Sequence, residues 1–265
     1  MSNVLAEKPI VADVAEIISD CEAWARHAAP IAREAFCQRG SVRFKQDESP
    51  VTVTDELIEQ ELKKAISSKY PKDGIFGEET GIEGDTSQNL WIIDPIDGTR
   101  SFISGNPLFG LLLAYVEEGR PVAGTISMPV LEEVYSGGVG RQATLNGALI
   151  NVSGQTDIDD CILYINEGEK LLAERPEQLK RLLEKGRTRR FGYDCYPHAL
   201  LAAGRIDAVV DYDLKPYDFF ALTGVIEAAG GVITDWNGNK LGLSSDGTVV
   251  SAASPELHRS LLEML

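Results

Sequence analysis

Histidine occurs three times and cysteine four times in 265 residues. The four cysteines, Cys21, Cys37, Cys161 and Cys195, form no C-x-x-C pair and lie far apart. That pattern fits buried, reduced thiols better than a disulfide framework or a thiolate zinc site. Basic residues are scarce as well: 25 Lys and Arg stand against 41 Asp and Glu, a formal net charge of −16. A surface of that sign repels nucleic-acid phosphates and anionic membrane faces, so neither is expected as a partner. Long apolar runs are missing. Leu111 to Val116 is far too short to span a bilayer, and Met1 to Ala12 lacks the basic and apolar regions of an export signal, so a cytoplasmic location is expected. The chain has no internal repeat and no low-complexity tract. Its hydrophobic content of 43% is ample for a substantial core, built as one large domain or two small ones.

The stretch that organises what is there is Leu90-Trp91-Ile92-Ile93-Asp94-Pro95-Ile96-Asp97-Gly98-Thr99. Its apolar run suits a central strand, and Pro95, lacking an N–H, should take the chain out of the sheet. Asp94 and Asp97 then stand at a strand end, where Gly98 permits a tight turn and the Ile96 carbonyl lies between them. One reading makes the two acids turn or helix caps. The other turns both carboxylates toward one point; two such charges repel unless a cation joins them, and an all-oxygen set suits Mg²⁺. The N–H groups of Gly98 and Thr99 could hold an anion beside it. Two further acids strengthen the metal reading. Gly77-Glu78-Glu79 closes another short apolar segment, and Asp218 lies just inside a helix opened by Pro216.

Along the rest of the chain, apolar spacing from Ile10 to about Gln38 predicts a long amphipathic helix, kinked or divided at Pro30 and stopped at Gly40. A short strand is expected at Arg43 to Lys45, then a polar loop from Gln46 to Pro50. A second helix covers Asp55 to Tyr70, capped by Thr54 or Asp55. Gly81 to Gln88 reads as a polar connection and Arg100 to Pro107 as a loop. Phe109 to Val116, Pro121 to Ser127 and Glu132 to Val139 read as strands, and Asn146-Gly147 as a hairpin turn. Beyond Asn151, strands alternate with helices: a strand at Cys161 to Ile165, a helix from Lys170 to Lys185 broken at Pro176, and a strand around Arg190. Helix Asp194 to Ala203, strand Ile206 to Asp211, helix Pro216 to Ala229, strands at 232–235 and 249–252, and helix Pro255 to Met264 follow. This alternation indicates a layered α/β protein.

The G-E-E segment, the W-I-I-D-P-I-D-G-T core and the acid of the late helix together resemble the inositol monophosphatase-like family of Mg²⁺-dependent phosphomonoesterases, from about Lys45 to about Trp236. The resemblance implies an α-β-α-β-α sandwich. Its halves would be residues 1–150, with most metal ligands, and residues 151–265, with the substrate-selecting residues and one ligand. It implies that Glu78, Asp94 and the Ile96 carbonyl hold one Mg²⁺, that Asp94, Asp97 and Asp218 hold a second, and that Glu78 assists a third. Asp55 and Thr99 would orient the metal-activated water that attacks the ester, and Gly98 and Thr99 would hold phosphate oxygens. A homodimer is also implied.

Three segments look similar to the histidinol-phosphate phosphatases of this family: Asp97 to Phe102, Gly192-Tyr193-Asp194-Cys195-Tyr196, and Leu214 to Phe219. That match makes Arg100, Gly192, Tyr193, Asp194 and Asp211 the expected substrate-binding residues, the two acids serving an ammonium and an imidazole. Asp194 also reads as a helix N-cap, and His198 as a histidine satisfied inside the fold. The leading reading is hydrolysis of L-histidinol phosphate in histidine biosynthesis. An inositol-1-phosphatase or broader sugar-phosphate phosphatase is the alternative, and a non-catalytic regulatory binding protein is a third reading of another class.

Overall fold

The helical spacing near the N-terminus produces α1 (Val14–Gln38), whose stripe of Ile17, Cys21, Ala25, Ala28 and Ala32 is buried. In the computed structural model, which describes residues 10–38, 42–44 and 50–265, this helix is not divided at Pro30. The flanking Ala28 and Ala32 are packed in the core, and that packing offsets the one backbone bond the proline removes. The expected stop at Gly40, Lys45 and the loop residues 46–49 lie outside the described residues, as do residues 1–9. Cys21, Cys161 and Cys195 are buried free thiols, but Cys37, near the end of α1, is exposed, which corrects the expectation for that residue.

Strands β1 (Val42–Phe44) and β2 (Pro50–Thr52) pair antiparallel and lead into α2 (Val53–Lys69). The cap of α2 is Thr52, not Thr54 or Asp55. Its hydroxyl accepts the Thr54 N–H while the Asp55 carboxylate accepts the Thr52 N–H at 3.0 Å, a reciprocal box that starts the helix early.

The first large sheet is built from β3 (Gly74–Gly77), β4 (Gly81–Glu83) and β5 (Asn89–Asp97). After the short α3 (Thr99–Ser104) come β6 (Gly110–Glu117), β7 (Arg120–Met128), β8 (Glu133–Gly138), β9 (Arg141–Leu145) and β10 (Ala148–Leu149). The strand order is β10-β9-β8-β7-β6-β5-β3-β4. Two expectations are corrected here. β4 occupies the start of the supposed polar connection, and α3 most of the supposed loop after Thr99. Trp91, Ile93, Leu113 and Tyr115 pack with α1 and α2 on one face of the sheet. Their neighbours Ile92, Leu112 and Ala114 face the other way, the two-residue period of a sheet buried on both sides.

The second sheet comprises β11 (Ile162–Asn166), β12 (Thr188–Gly192), β13 (Ala208–Asp211), β14 (Val232–Thr234) and β15 (Val249–Ala252), in the order β12-β11-β13-β15-β14. Helices α4 (Gly168–Glu174) and α5 (Pro176–Leu183) meet at the expected break, Pro176 opening the second. With α8 (Pro255–Leu262) they cover the outer face through Leu171, Leu182, Leu257 and Leu261. Between the sheets lie α6 (Tyr196–Ala202) and α7 (Pro216–Ala228). Every residue of α7 from Phe219 to Ile226 is buried, as a middle layer requires. The result is the α-β-α-β-α sandwich.

Candidate active site

The site grows from a break in one ladder. Along β5 and β6, Asp94 pairs with Leu112 and Asp97 with Gly110, so three steps on one strand face two on the other. The chain leaves the ladder across Pro95 and Ile96, where no proline N–H exists to continue it, and rejoins at Asp97. β3 runs parallel to β5 with Gly77 beside Ile93, so Glu78 leaves the sheet at the same end, its N–H on the Ile93 carbonyl at 3.0 Å. Carboxyl ends of parallel strands are where open α/β sheets gather ligands. From the opposite layer, Asp218 arrives on the first turn of α7, held there by the Lys215 N–H at 2.6 Å.

Carboxylate oxygens of Asp94, Asp97 and Asp218 lie within 4.8 Å of one another. Burial, then the negative charges of Glu78, Asp97 and Asp218, hold the Asp94 carboxyl well above its ordinary range. Burial and the charges of Asp194 and Asp218 raise Asp97, against the pull of its bond from the Cys195 N–H at 2.5 Å. Asp218 is pushed up to about 7, by burial first, with the Lys215 N–H opposing and Glu78 and Asp211 adding to the rise. Asp94 Oδ1 is buried with no hydrogen-bond partner. Clustered buried acids and an orphaned oxygen are costly alone and suit a hard divalent cation with oxygen ligands.

Beside this cluster, the Thr99 hydroxyl lies 3.2 Å from the Ile96 carbonyl and 3.4 Å from Asp55 Oδ1. Asp55 is buried; its other oxygen takes both the N–H and the hydroxyl of Thr52. Burial lifts it to about 6, with Thr52 pulling down and the charge of Glu78 pushing up.

A cleft of about 400 Å³ opens over Glu78, Asp97, Gly98, Thr99 and Asp218 and reaches Arg100, Glu167, Lys170, Asp194 and Asp211. Asp94 lies behind it. A second cavity of about 700 Å³ shares Arg100, Glu167, Lys170 and Asp194 and adds Ser101 and Tyr193. Asp194 has a left-handed backbone at φ 60 and accepts the Ser101 hydroxyl at 2.5 Å. It is not the side-chain cap of α6, which has none. Burial and the charge of Asp211 raise it to about 6, while Ser101 and Arg100 oppose. Asp211 is buried and fixed by Asn166 Nδ2 at 2.6 Å, His198 Nε2 at 3.1 Å and the Tyr212 N–H at 2.8 Å. His198 is satisfied by Asp211 and Ser251 and buried completely.

The structure thus brings together Asp55, Glu78, Asp94, Ile96, Asp97, Gly98, Thr99, Arg100, Asp194, Asp211 and Asp218, with Tyr193 at the outer cavity. Gly192 is the exception. It is buried behind the cleft, where a Cβ would fall 2.6 Å from Asn166 Oδ1. Ser101, Asn166, Glu167 and Lys170 were not anticipated from the sequence. Ser101 lies within the Asp97 to Phe102 segment but was given no role there, and Asn166 carries no signal beyond a strand end. Glu167 and Lys170 carry no sequence motif; Glu167 stands out only in the structure, by a left-handed φ of 50.

A profile of the inositol monophosphatase family matches residues 13–265. The chain belongs to the inositol monophosphatase family. It is 36% identical to the bifunctional phosphatase IMPL2, chloroplastic, of Arabidopsis thaliana, over 92% of this chain and 73% of that protein. It is also 36% identical to a histidinol-phosphatase of Chlorobaculum parvum, over 90% of this chain and 92% of that one. A solved inositol monophosphatase from Zymomonas mobilis superposes with a TM-score of 0.86 at 35% identity, covering 96% of this chain and 98% of that one. Membership makes this chain a phosphatase of phosphate monoesters. Among the described residues no helix is long and apolar enough to cross a membrane.

Proposed function

We propose that this inositol monophosphatase family member is a magnesium-dependent histidinol-phosphatase, releasing phosphate and L-histidinol. Glu78, Asp94 and the Ile96 carbonyl would hold one Mg²⁺, and Asp94, Asp97 and Asp218 a second, with Glu78 assisting a third. Bound Mg²⁺ supplies Lewis-acid charge stabilisation and a more acidic water. The protein's part is positional. Thr99 and Asp55 would orient the attacking water, the Thr99 hydroxyl lying 3.4 Å from Asp55 Oδ1. Gly98, whose φ is +86, turns the chain so that its own N–H and that of Thr99 can meet phosphate oxygens. Direct attack by water leaves no phosphoryl group on the protein; labelled phosphate recovered on the chain would overturn that.

The observation that carries the substrate reading is the acid packed against this turn. A Cβ on Gly98 would fall 2.4 Å from Asp194 Cγ, so the Asp194 carboxylate occupies the space a side chain would fill beside the phosphate end. With Glu167 and Asp211 it sets three acids against Arg100 and Lys170 at the leaving-group end, and the excess of acids suits a leaving group carrying an ammonium and an imidazole better than a neutral polyol. The likeness to the Chlorobaculum parvum histidinol-phosphatase supports this, and the Zymomonas mobilis likeness supports inositol-1-phosphate as the alternative. The test is a side-by-side measurement of kcat/KM with both esters at saturating Mg²⁺. Histidinol phosphate is expected to be preferred by at least about tenfold, the worth of one charged contact; a preference for inositol phosphate overturns the reading. Complementation of a histidine auxotroph lacking this phosphatase checks it in a cell. A cytoplasmic homodimer completes the proposal, to be checked by sedimentation and fractionation.

A further inference from the structure

Glu59 has no role in the chemistry above, yet it is completely buried. It stands one helical turn after Asp55 on α2. Its carboxylate fits where Gly77 has no side chain; a Cβ there would fall 2.3 Å from Glu59 Oε1. From that place it accepts the Glu79 N–H at 2.8 Å and the Thr80 N–H at 3.1 Å, and the Thr80 hydroxyl donates to it as well. These groups belong to the turn that leaves β3, and Glu78 enters that turn with its own N–H on the Ile93 carbonyl at 3.0 Å. Glu78 is therefore pinned on both sides: to β5 by its own amide, and to α2 by the amides that follow it.

Burying a carboxylate is costly unless donors satisfy it, and an apolar side chain would fill the inner face of α2 without that cost. All the donors Glu59 satisfies come from the single turn that carries Glu78. We infer that Glu59 is a positioning residue for Glu78, fixing the 78–80 turn so that the Glu78 carboxylate faces Asp94 and thereby setting the affinity of the site for its divalent cation. This rests on the reading of Glu78 and Asp94 as metal ligands. One helix then serves both sides of the reaction centre: Asp55 beside Thr99, and Glu59 four residues later under the Glu78 turn.

The test is calorimetric titration of Mg²⁺ into the metal-free full-length protein, with the metal-induced rise in melting temperature read on the same samples. E59Q keeps the size of the side chain but turns one acceptor oxygen into an NH₂ group among donors. Its dissociation constant for Mg²⁺ is expected to rise by about tenfold or more, in the range found for groups that orient metal ligands, and its metal-induced rise in melting temperature should shrink. Turnover should recover toward that of the parent as Mg²⁺ is raised. E61Q, an exposed member of a Lys64 ion pair on the same helix, should bind as the parent does. A merely structural role would lower melting with and without metal alike and leave the Mg²⁺ constant unmoved, and that result overturns the inference. Should E59Q fail to fold, T80V decides: it removes one donor, is expected to weaken Mg²⁺ by about two- to fivefold, the worth of one ordinary hydrogen bond, and overturns the inference if it does not. D94N separates the two readings. If D94N also binds Mg²⁺ like the parent, the metal site itself is wrong; if D94N loses binding and E59Q keeps it, only the role of Glu59 falls.

Discussion

At the scale of single residues, Gly98 shows how an absent side chain can be functional. Its φ of +86 disfavours any Cβ by about 1–2 kcal/mol, and a Cβ would strike the Asp194 carboxylate. G98A should therefore displace Asp194 and disturb the phosphate end together. Loss of kcat/KM for a cationic ester is expected to exceed the loss for a neutral one by about tenfold or more, since one charged contact is worth roughly 1.5–3 kcal/mol. Equal losses for both esters would detach Asp194 from substrate choice. The clustered acids were legible in the sequence because Glu78 follows an apolar run ended by Gly77, Asp94 and Asp97 bracket Pro95 at the end of another, and Asp218 stands just inside the helix that Pro216 opens. The supporting residues were not. Glu59 and Asn166 look like ordinary polar residues of a helix and a strand end, and only the approach of Gly77 and Asp211 in space gives them partners. Gly192 differs for the opposite reason: it neighbours Tyr193 and Asp194 in sequence, but at the end of β12 it packs against Asn166, Pro197 and Tyr164 rather than lining the cleft.

Among the elements, α7 is tied most tightly to the site. It meets β7 backbone to backbone: a Cβ on Gly124 would fall 2.1 Å from the Ala221 carbonyl, and one on Gly224 would fall 2.5 Å from the Gly124 N. Neither atom is the flexible end of a side chain, so a methyl at Gly124 must push the whole helix away. Overpacking of this kind costs about 1–3 kcal/mol. G124A is expected at the upper end in urea unfolding, with weaker Mg²⁺ binding because Asp218 rides on the first turn of α7. Destabilisation with unchanged Mg²⁺ affinity would show that the helix relaxes without moving its N-terminus. Helices α1 and α2 were readable from spacing because burial on one side leaves a stripe; α7, buried all round, was marked instead by Pro216 at its start, and α3 was read as a loop. Strand β4 was not, since three residues, Gly81-Ile82-Glu83, carry no period. The early start of α2 was also missed, because Thr52 declares itself a cap only through the return bond from Asp55.

For the molecule as a whole, the site imposes a pH dependence opposite to that of ordinary surface carboxylates. Burial and mutual repulsion raise Asp55 to about 6, Asp194 to about 6 and Asp218 to about 7, and lift Asp94 and Asp97 well above the usual range. Each binds its proton more tightly in the folded protein than in the unfolded chain. The stabilising contribution of Asp55, Asp194 and Asp218 is therefore complete below the ordinary carboxylate range, near 3.8, and is lost as pH rises through about 6 to 7, with Asp94 and Asp97 adding to the loss in the same direction. Acids held low by partners, such as Asp213 beside Lys170 and Lys215, act in the other direction, but only below pH 3.8. His258, depressed by burial, opposes the trend as a single group. The net charge of −16 adds self-repulsion of the same sign as the clustered acids. Metal-free protein is thus expected to melt higher at pH 5.5 than at pH 7.5, by about 4 °C or more at roughly 2 °C per kcal/mol for a chain of this size. Saturating Mg²⁺ should reverse the order, because the cation stabilises the ionised carboxylates at pH 7.5 and competes with protons at pH 5.5. Melting scans at the two pH values, with and without Mg²⁺, measure both effects. A metal-free protein that melts higher at pH 7.5 would mean that these carboxyls do not confront one another in the folded chain.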